Sequence, residues 1–312
     1  MPVKCALACP HFGSSPHLYT SKEASLGGSM NRHTVDWIDS RLTAEAAPAC
    51  TLWVVVGCDS AAYVATDGRG EVLAAVLREY AEPGAPFWRI GPHVQRLMES
   101  SPVWHLPFGQ RQGFLFHPYV TLVPRRLFQH GDLSGYFRLL LEPGDYVYAC
   151  EELMPWEAYL ISATERAHAR FYQSLFPGAR LRHAAVPLLL AAREVAGRQE
   201  HTILVNVRHR FAQVVVFERQ NLLFYNTFSY TDANDLLYYV LLAYDQFRLS
   251  PNEIPLWLAG NITAESELYR RFHAYVRDAR FAAPSAKWRL PQEALGVLPV
   301  HCYFELMSLS AV

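Results

Sequence analysis

The chain has 312 residues, of which 51% are apolar, and its formal net charge is −1 at pH 7. This length allows one large domain or two domains of ordinary size with a substantial core. The balanced charge gives no sign of a nucleic-acid partner or of an anionic lipid surface. No apolar run approaches the ~20 residues that cross a bilayer, and the six scattered cysteines fit free thiols in a reducing compartment. We therefore expect a cytoplasmic protein without membrane insertion.

Residues 1–48 are predicted to be a disordered N-terminal tail. The first thirty residues are rich in Ser, Pro, Gly and His and show no hydrophobic period. They also lack the basic start, apolar core and small-residue cleavage site of a secretory signal. A further hypothesis is that translation starts at Met30, because the Gly27-Gly28 codons could contain a ribosome-binding site. The intact mass of the native protein would test this start.

Residues 49–197 are predicted to form the first of two similar halves. It opens with three apolar strands and has a hairpin turn at Asp67-Gly68-Arg69-Gly70. A helix is expected near Val94–Met98, and a less regular insertion near residues 83–152. The later predicted elements are the strands 118–124 (PYVTLVP), 158–163 (AYLISA) and 179–185 (ARLRHAA) and the helices 164–176 and 186–197.

Residues 198–312 are predicted to form the second half with the same order of elements. The predicted strands are 202–207, 212–217, 222–228, 255–259 and 278–282, and the predicted helices are 232–247, 265–276 and 301–309. Each half is thus an α/β unit of order βββαβαβα, the ribonuclease-H-like unit. Duplication of this unit predicts an actin-like ATPase fold with an interdomain cleft.

Several segments resemble one bacterial protein family. They are VVVGCDSAAYVATD and YVTLVPRRLF in the first half and, in the second, LLFYNTFSYTDANDLLYYVLLAYDQFRLSPNEIPLWLAGNI, LYRRFHAYVRDARF and HCYFELMSL. Over residues 50–310 the chain resembles the DUF3822 family, found mainly in Bacteroidetes. The resemblance implies an actin-like ATPase fold with no established activity.

The resemblance also implies where a nucleotide would bind. An actin-like ATPase holds phosphate and metal between two hairpin turns, where aspartate faces the metal and glycine lets backbone N–H groups approach phosphate. In this chain Asn206 stands at the place of the second aspartate, and Arg208-His209 stands at the place of the glycines. An amide lacks the negative charge that Mg²⁺ prefers. The candidate cleft residues are Asp59, Ser60, Asn206, Arg208 and Gly260.

Each candidate also has an ordinary structural explanation. Asp59-Ser60 could be a simple turn, Arg208 a solvated hairpin tip, and Gly260 a glycine that ends a strand. Alternatively, Arg208 could bind an anion or a nucleotide in place of magnesium. Neither the thirteen histidines nor the cysteines have the spacing of metal ligands.

These patterns favour a non-catalytic actin-fold scaffold or interaction protein, a pseudo-ATPase, over an enzyme. We expect no cofactor and an unknown protein partner. The alternative is a divergent ATP-binding protein, an ATPase or kinase that uses the interdomain cleft. An aromatic-rich stretch could be core or, where exposed, a partner surface; its residues are Phe224, Tyr225, Phe228, Tyr230, Tyr238, Tyr239, Tyr244 and Phe247.

Overall fold

The computed structural model describes residues 35–80, 85–284 and 287–312, so residues 1–34 of the predicted tail, including Met30, lie outside it. The strands are β1 (Val35–Ile38), β2 (Thr51–Gly57), β3 (Ser60–Thr66), β4 (Val72–Glu79), β5 (Gln110–Phe116), β6 (Val120–Pro124), β7 (Tyr146–Leu153), β8 (Ala158–Glu165), β9 (His201–Val207), β10 (Phe211–Glu218), β11 (Asn221–Ser229), β12 (Leu256–Gly260) and β13 (Ala279–Phe281). The helices are α1 (Phe87–Glu99), α2 (Arg166–Leu175), α3 (Ala185–Ala196), α4 (Ala233–Gln246), α5 (Glu267–Tyr275), α6 (Gln292–Leu295) and α7 (Phe304–Ser308). No helix of the described residues is long and apolar enough to span a membrane.

The first half is built on a five-stranded sheet of order β1-β4-β3-β2-β5. β2, β3 and β4 form an antiparallel meander, and β5 pairs parallel to β2. All residues of β3 are buried, because the sheet is covered on both faces. A strand in that position is apolar along its whole length instead of alternating, which is why the sequence pattern was so clear.

β5 forms the edge of this sheet opposite β1, and the sequence did not predict it. Its first three residues, Gln110-Arg111-Gln112, are polar, so the apolar part is too short to be recognised. The predicted strands PYVTLVP and AYLISA form β6 and β8, which join β7 in a separate antiparallel sheet of order β6-β8-β7. The predicted strand 179–185 is reduced to a single bridge between Leu115 and His183.

The predicted tail does not extend to residue 48. β1 pairs with the edge of β4, and Trp37 packs against the apolar core of the first sheet. Leu42 and Ala47 are buried as well. These few apolar side chains are spread over a largely polar stretch, so the sequence shows no hydrophobic period there. They nevertheless anchor the stretch to the sheet.

The second half has a five-stranded sheet of order β11-β10-β9-β12-β13. β9, β10 and β11 are antiparallel neighbours, and β12 and β13 run parallel to β9. α4 and α5 cover its outer face. On the inner side, α3 packs against the second sheet, whereas α7 also contacts β3 of the first sheet.

Candidate functional site

Two short turns, one from each half, meet at the boundary between the halves. Cys58-Asp59 joins β2 to β3, and Arg208-His209-Arg210 joins β9 to β10. The Arg208 N–H donates to the Phe211 carbonyl at 2.8 Å and closes the second hairpin. Tight hairpins fix the direction of the side chains at their ends. As a result the Arg208 side chain reaches the first turn.

The Arg208 guanidinium is the centre of a buried polar cluster. Its Nε donates to Asp59 Oδ2 at 3.0 Å and its Nη2 donates to Asp59 Oδ1 at 2.5 Å, which is a bidentate pair. Nη2 also donates to Ser60 Oγ at 2.9 Å, and Nη1 donates to the Glu305 carboxylate. The guanidinium carbon lies over the Phe116 ring, 3.7 Å from its centroid. All three guanidinium nitrogens therefore have acceptors, which fixes the orientation of the group.

The positive charge of Arg208 is paired with carboxylates inside the protein. The Arg208 side chain is 5% exposed and the Asp59 side chain is 0% exposed. Burial disfavours a charged guanidinium, but the negative charges of Asp59 and Glu305 outweigh burial and raise the pKa of Arg208 above its ordinary value. Burial raises the pKa of Glu305, although Arg208 acts in the opposite direction. Arg208 stays protonated, and carboxylates of its own chain neutralise it.

A second polar link crosses the same boundary at Glu79. Asn261 Nδ2, which follows β12, donates to Glu79 Oε1 at 2.8 Å. His209 Nδ1 lies 3.2 Å from Glu79 Oε2, and the Glu79 side chain is 6% exposed. Glu79 ends β4 of the first sheet, whereas both of its partners belong to the second half. The two halves are thus joined by two neighbouring groups of side-chain contacts.

Asn206 belongs to a buried amide network within the second half. Its Nδ2 donates to Gln213 Oε1 at 2.8 Å, and Gln213 Nε2 donates to Tyr225 Oη at 2.8 Å. Asn206 and Gln213 are both fully buried. The network therefore uses the Asn206 amide as a structural hydrogen-bond donor. Among the described residues, the Asn206 Oδ1 atom has no hydrogen-bond partner.

Gly260 occupies a place where only glycine fits. Its φ is +80°, and an added Cβ would lie 2.1 Å from the Val207 carbonyl oxygen and 2.8 Å from Asn206 Oδ1. The Asn261 N–H donates to the same Val207 oxygen at 2.7 Å. The glycine thus lets the end of β12 approach β9 closely and places Asn261 near Glu79.

Two buried histidines, His183 and His168, lie near the first turn, and backbone groups hold their rings. The Ala185 N–H donates to His183 Nδ1 at 3.1 Å, and His183 Nε2 lies 2.9 Å from the His117 carbonyl oxygen. His168 Nε2 lies 3.0 Å from the Val56 carbonyl. Burial lowers the pKa of His183 to about 4 and lowers that of His168 well below its ordinary value. In residues 35–80, 85–284 and 287–312, no group of three or more His, Cys, Asp or Glu side chains could hold a metal ion.

Sequence comparison identifies the family of the chain. The family described as "Protein of unknown function (DUF3822)" matches residues 39–279, which is most of the chain. The chain belongs to the DUF3822 family. This confirms the resemblance found in the sequence segments. No curated protein matches the chain.

Solved structures establish the fold of this DUF3822 protein. A Bacteroides thetaiotaomicron protein described as having an actin-like ATPase fold and unknown function is similar with a TM-score of 0.70 and 14% identity, over 87% of this chain and 99% of that chain. A chain of the PilM–PilN type IV pilus biogenesis complex is similar with a TM-score of 0.60 and 12% identity, over 84% of this chain and 98% of that chain. Likeness at such identity concerns the fold alone. The predicted duplicated ribonuclease-H-like, actin-like ATPase fold is confirmed, and the Bacteroides source agrees with the expected occurrence of the family.

Within the DUF3822 chain, the five candidate residues lie close together. Asp59, Ser60 and Arg208 are in direct contact. Asn206 lies on the same face of β9 as Arg208, and Gly260 pairs with β9 one position further along. The interpretation of Arg208 as a solvated hairpin tip is wrong, because its charge is paired and buried.

Three contributors to the cluster were not expected from the sequence. They are Glu305, Glu79 and Phe116. Glu305 is the one acidic residue in the apolar segment HCYFELMSL, and an isolated acid in a buried helix normally has a buried partner. That signal was present in the sequence. Glu79 and Phe116 end ordinary strands and carry no comparable signal.

Proposed function

We propose that this DUF3822 protein is a non-catalytic actin-fold scaffold or interaction protein. The observation that carries the proposal is the Arg208 guanidinium, which binds Asp59 and Glu305 between the turns of the two halves. In an actin-like ATPase these turns are expected to hold the phosphate groups and the metal.

The ion pairs of Arg208 compete with both the metal ion and the phosphate groups of a metal-bound nucleotide. Mg²⁺ binds through carboxylate oxygens, but both oxygens of Asp59 already accept hydrogen bonds from Arg208. A phosphate could bind Arg208 only if the two carboxylates released it. Breaking a buried ion pair costs roughly 3–5 kcal/mol. This cost opposes nucleotide binding, so we propose that the protein uses no cofactor.

The contacts across the cleft also support a scaffold by holding the two halves together. Glu79, His209 and Asn261 add a second link beside the Arg208 cluster. Enzymes that bind a ligand between two domains commonly open and close the cleft as ligands bind and leave. Side-chain contacts within the chain favour one fixed arrangement of the two halves. A fixed arrangement suits a scaffold, which acts through its surface.

The fold comparison supports a protein partner by analogy. PilM is described in a type IV pilus biogenesis complex with PilN. This shows that a protein of similar fold takes part in a protein assembly, and the analogy goes no further than the fold. We also propose a cytoplasmic location, which the free thiols of Cys50, Cys58, Cys150 and Cys302 support, because a reducing compartment maintains them.

The proposal is tested by isothermal titration calorimetry of ATP into the full-length protein, with and without Mg²⁺. We expect no binding to the wild-type protein. The matched variants are Arg208→Ala and Arg210→Ala, because Arg210 is an exposed arginine of the same turn. Micromolar ATP binding that is lost in Arg208→Ala but kept in Arg210→Ala would overturn the proposal and support a divergent ATP-binding protein.

A further inference from the structure

The two carboxylates that pair with Arg208 differ in how they are held. Asp59 accepts hydrogen bonds from two guanidinium nitrogens, Nε and Nη2, and its side chain is fully buried. Glu305 accepts hydrogen bonds from Nη1 alone, and its side chain is 18% exposed. Asp59 is therefore the firmer partner of the guanidinium, whereas Glu305 fills a single position that solvent can reach.

The direction of Arg208 Nη1 does not depend on Glu305. Nε and Nη2 of the same guanidinium donate to Asp59 and Ser60, and the plane of the group lies over the Phe116 ring. These contacts remain when the Glu305 carboxylate is removed. Nη1 is therefore a hydrogen-bond donor that is oriented in advance, and such a donor loses little entropy when an anion binds.

The backbone around the guanidinium is shaped to receive it. At Gly57, the last residue of β2, an added Cβ would lie 2.7 Å from Arg208 Nη2, so the missing side chain makes room for the guanidinium. Tyr230 Oη donates to the Arg208 carbonyl at 2.6 Å and fixes the backbone of the second turn. The guanidinium thus lies in a built site and not at a free hairpin end.

The helix that carries Glu305 does not need a charge at this position for its own packing. The neighbours of Glu305 in α7, which are Phe304, Leu306 and Met307, are all buried in apolar clusters. Burial raises the pKa of Glu305, because apolar surroundings disfavour a carboxylate. The pairing with Arg208 therefore keeps the carboxylate in place, and α7 should hold its position when the carboxylate is removed.

We propose that Arg208 Nη1 marks a binding position for a small carboxylate anion, and that Glu305 fills this position as an internal ligand. Because Glu305 belongs to the same chain, a free carboxylate has to compete with its high effective concentration. The wild-type protein therefore excludes free carboxylates from this part of the cleft. This inference rests on the proposed function, in which the cleft holds no nucleotide, and it names the residue that keeps the position closed.

The variant Glu305→Ala opens the position, and acetate is the probe. Acetate matches the Cγ and carboxylate atoms that the substitution removes. Thermal unfolding of the full-length variant is followed over a series of acetate concentrations, with chloride at equal ionic strength as the reference. At ten times the Kd of acetate, the Tm of the variant should rise by about 2–4 °C. Isothermal titration calorimetry should show one saturable acetate site in the variant and none in the wild-type protein.

Two other variants separate the binding position from general effects. Glu305→Gln is the matched control, because the amide fills the same space without a charge. Its Tm should change with acetate only as much as that of the wild-type protein, which reports the general effect of the salt on stability. Glu293→Ala, at an exposed glutamate of α6, should behave in the same way.

The acetate response of Glu305→Ala decides the proposal. A response no larger than that of the wild-type protein, or an equal response of Glu305→Gln, would overturn it. If Glu305→Ala is unfolded in chloride, acetate should restore its folded circular dichroism spectrum, and a failure to do so would also overturn the proposal. ATP binding to the wild-type protein would contradict the proposed function instead, so the two failures are distinguishable.

Discussion

Arg208 and Asp59 lie 149 residues apart in the chain, and two hydrogen bonds join them across the boundary between the halves. The pair connects the two turns that an actin-like ATPase would use for its nucleotide. Its position means that one interaction affects both the stability of the fold and the chemistry of the cleft.

Arg208→Ala should destabilise the protein by about 3–5 kcal/mol, because it leaves the buried Asp59 carboxylate without its cation. Arg208→Lys should recover only part of this loss, since an ammonium cannot form the bidentate pair. Urea unfolding measures both changes. Arg210→Ala in the same turn is the control and should change stability by less than about 0.5 kcal/mol. Equal effects of the two alanine variants would show that the buried pair contributes nothing.

Gly260→Ala should destabilise the protein by at least about 3 kcal/mol. The new Cβ would lie 2.1 Å from the Val207 oxygen, and the backbone at this position has a φ of +80°. Gly68→Ala is the control, because a Cβ there meets no atom of the described residues within 4 Å. Thermal and urea unfolding of the two variants measure the difference. A tolerated Gly260→Ala would contradict the close approach of β12 to β9.

Stability should fall as the pH drops from 6.5 towards 4 because of His183, whose pKa burial lowers to about 4 from an ordinary 6.5. The folded protein takes up this proton less readily than the unfolded chain does, so stability is highest above pH 6.5 and is lost progressively below it. A shift of this size corresponds to about 3 kcal/mol.

Urea unfolding over this pH range tests the His183 prediction. His183→Gln should reduce the slope of stability against pH, because the glutamine does not titrate. His93→Gln changes an exposed histidine and should leave the slope unchanged. An identical slope in wild type and His183→Gln would exclude His183 as the source of the acid sensitivity.

Glu79→Ala should loosen the boundary between the halves. It removes the acceptor of Asn261 and the carboxylate next to His209. Amide hydrogen exchange at residues 207–211 and 260–262 should become about tenfold faster or more, because the turns open more often. Glu253→Ala, at an exposed glutamate of the second half, is the control. Unchanged exchange in Glu79→Ala would mean that this link does not hold the turns.

The sequence predicted the second half better than the first, for a physical reason. β9 was expected at 202–207 and is found at His201–Val207, because its buried run is long and ends in a clear turn. β5 was missed, since three polar residues precede its apolar part. Asp59, Ser60 and Arg208 were placed in the cleft from the turn positions. Their pairing with one another and with Glu305 depends on tertiary contacts between distant segments, which no local pattern encodes.

Each half contributes one helix to the core of the other half, and this affects how the protein folds. α3 precedes the second half in the chain but packs on its sheet, and Leu306 and Met307 of α7 pack in the core of the first sheet. Neither half has a complete core until the other is in place. Although residues 49–197 and 198–312 look like separate units, contacts of such high sequence separation predict slow, concerted folding of the whole chain. Separately expressed halves would have to find each other before either became native.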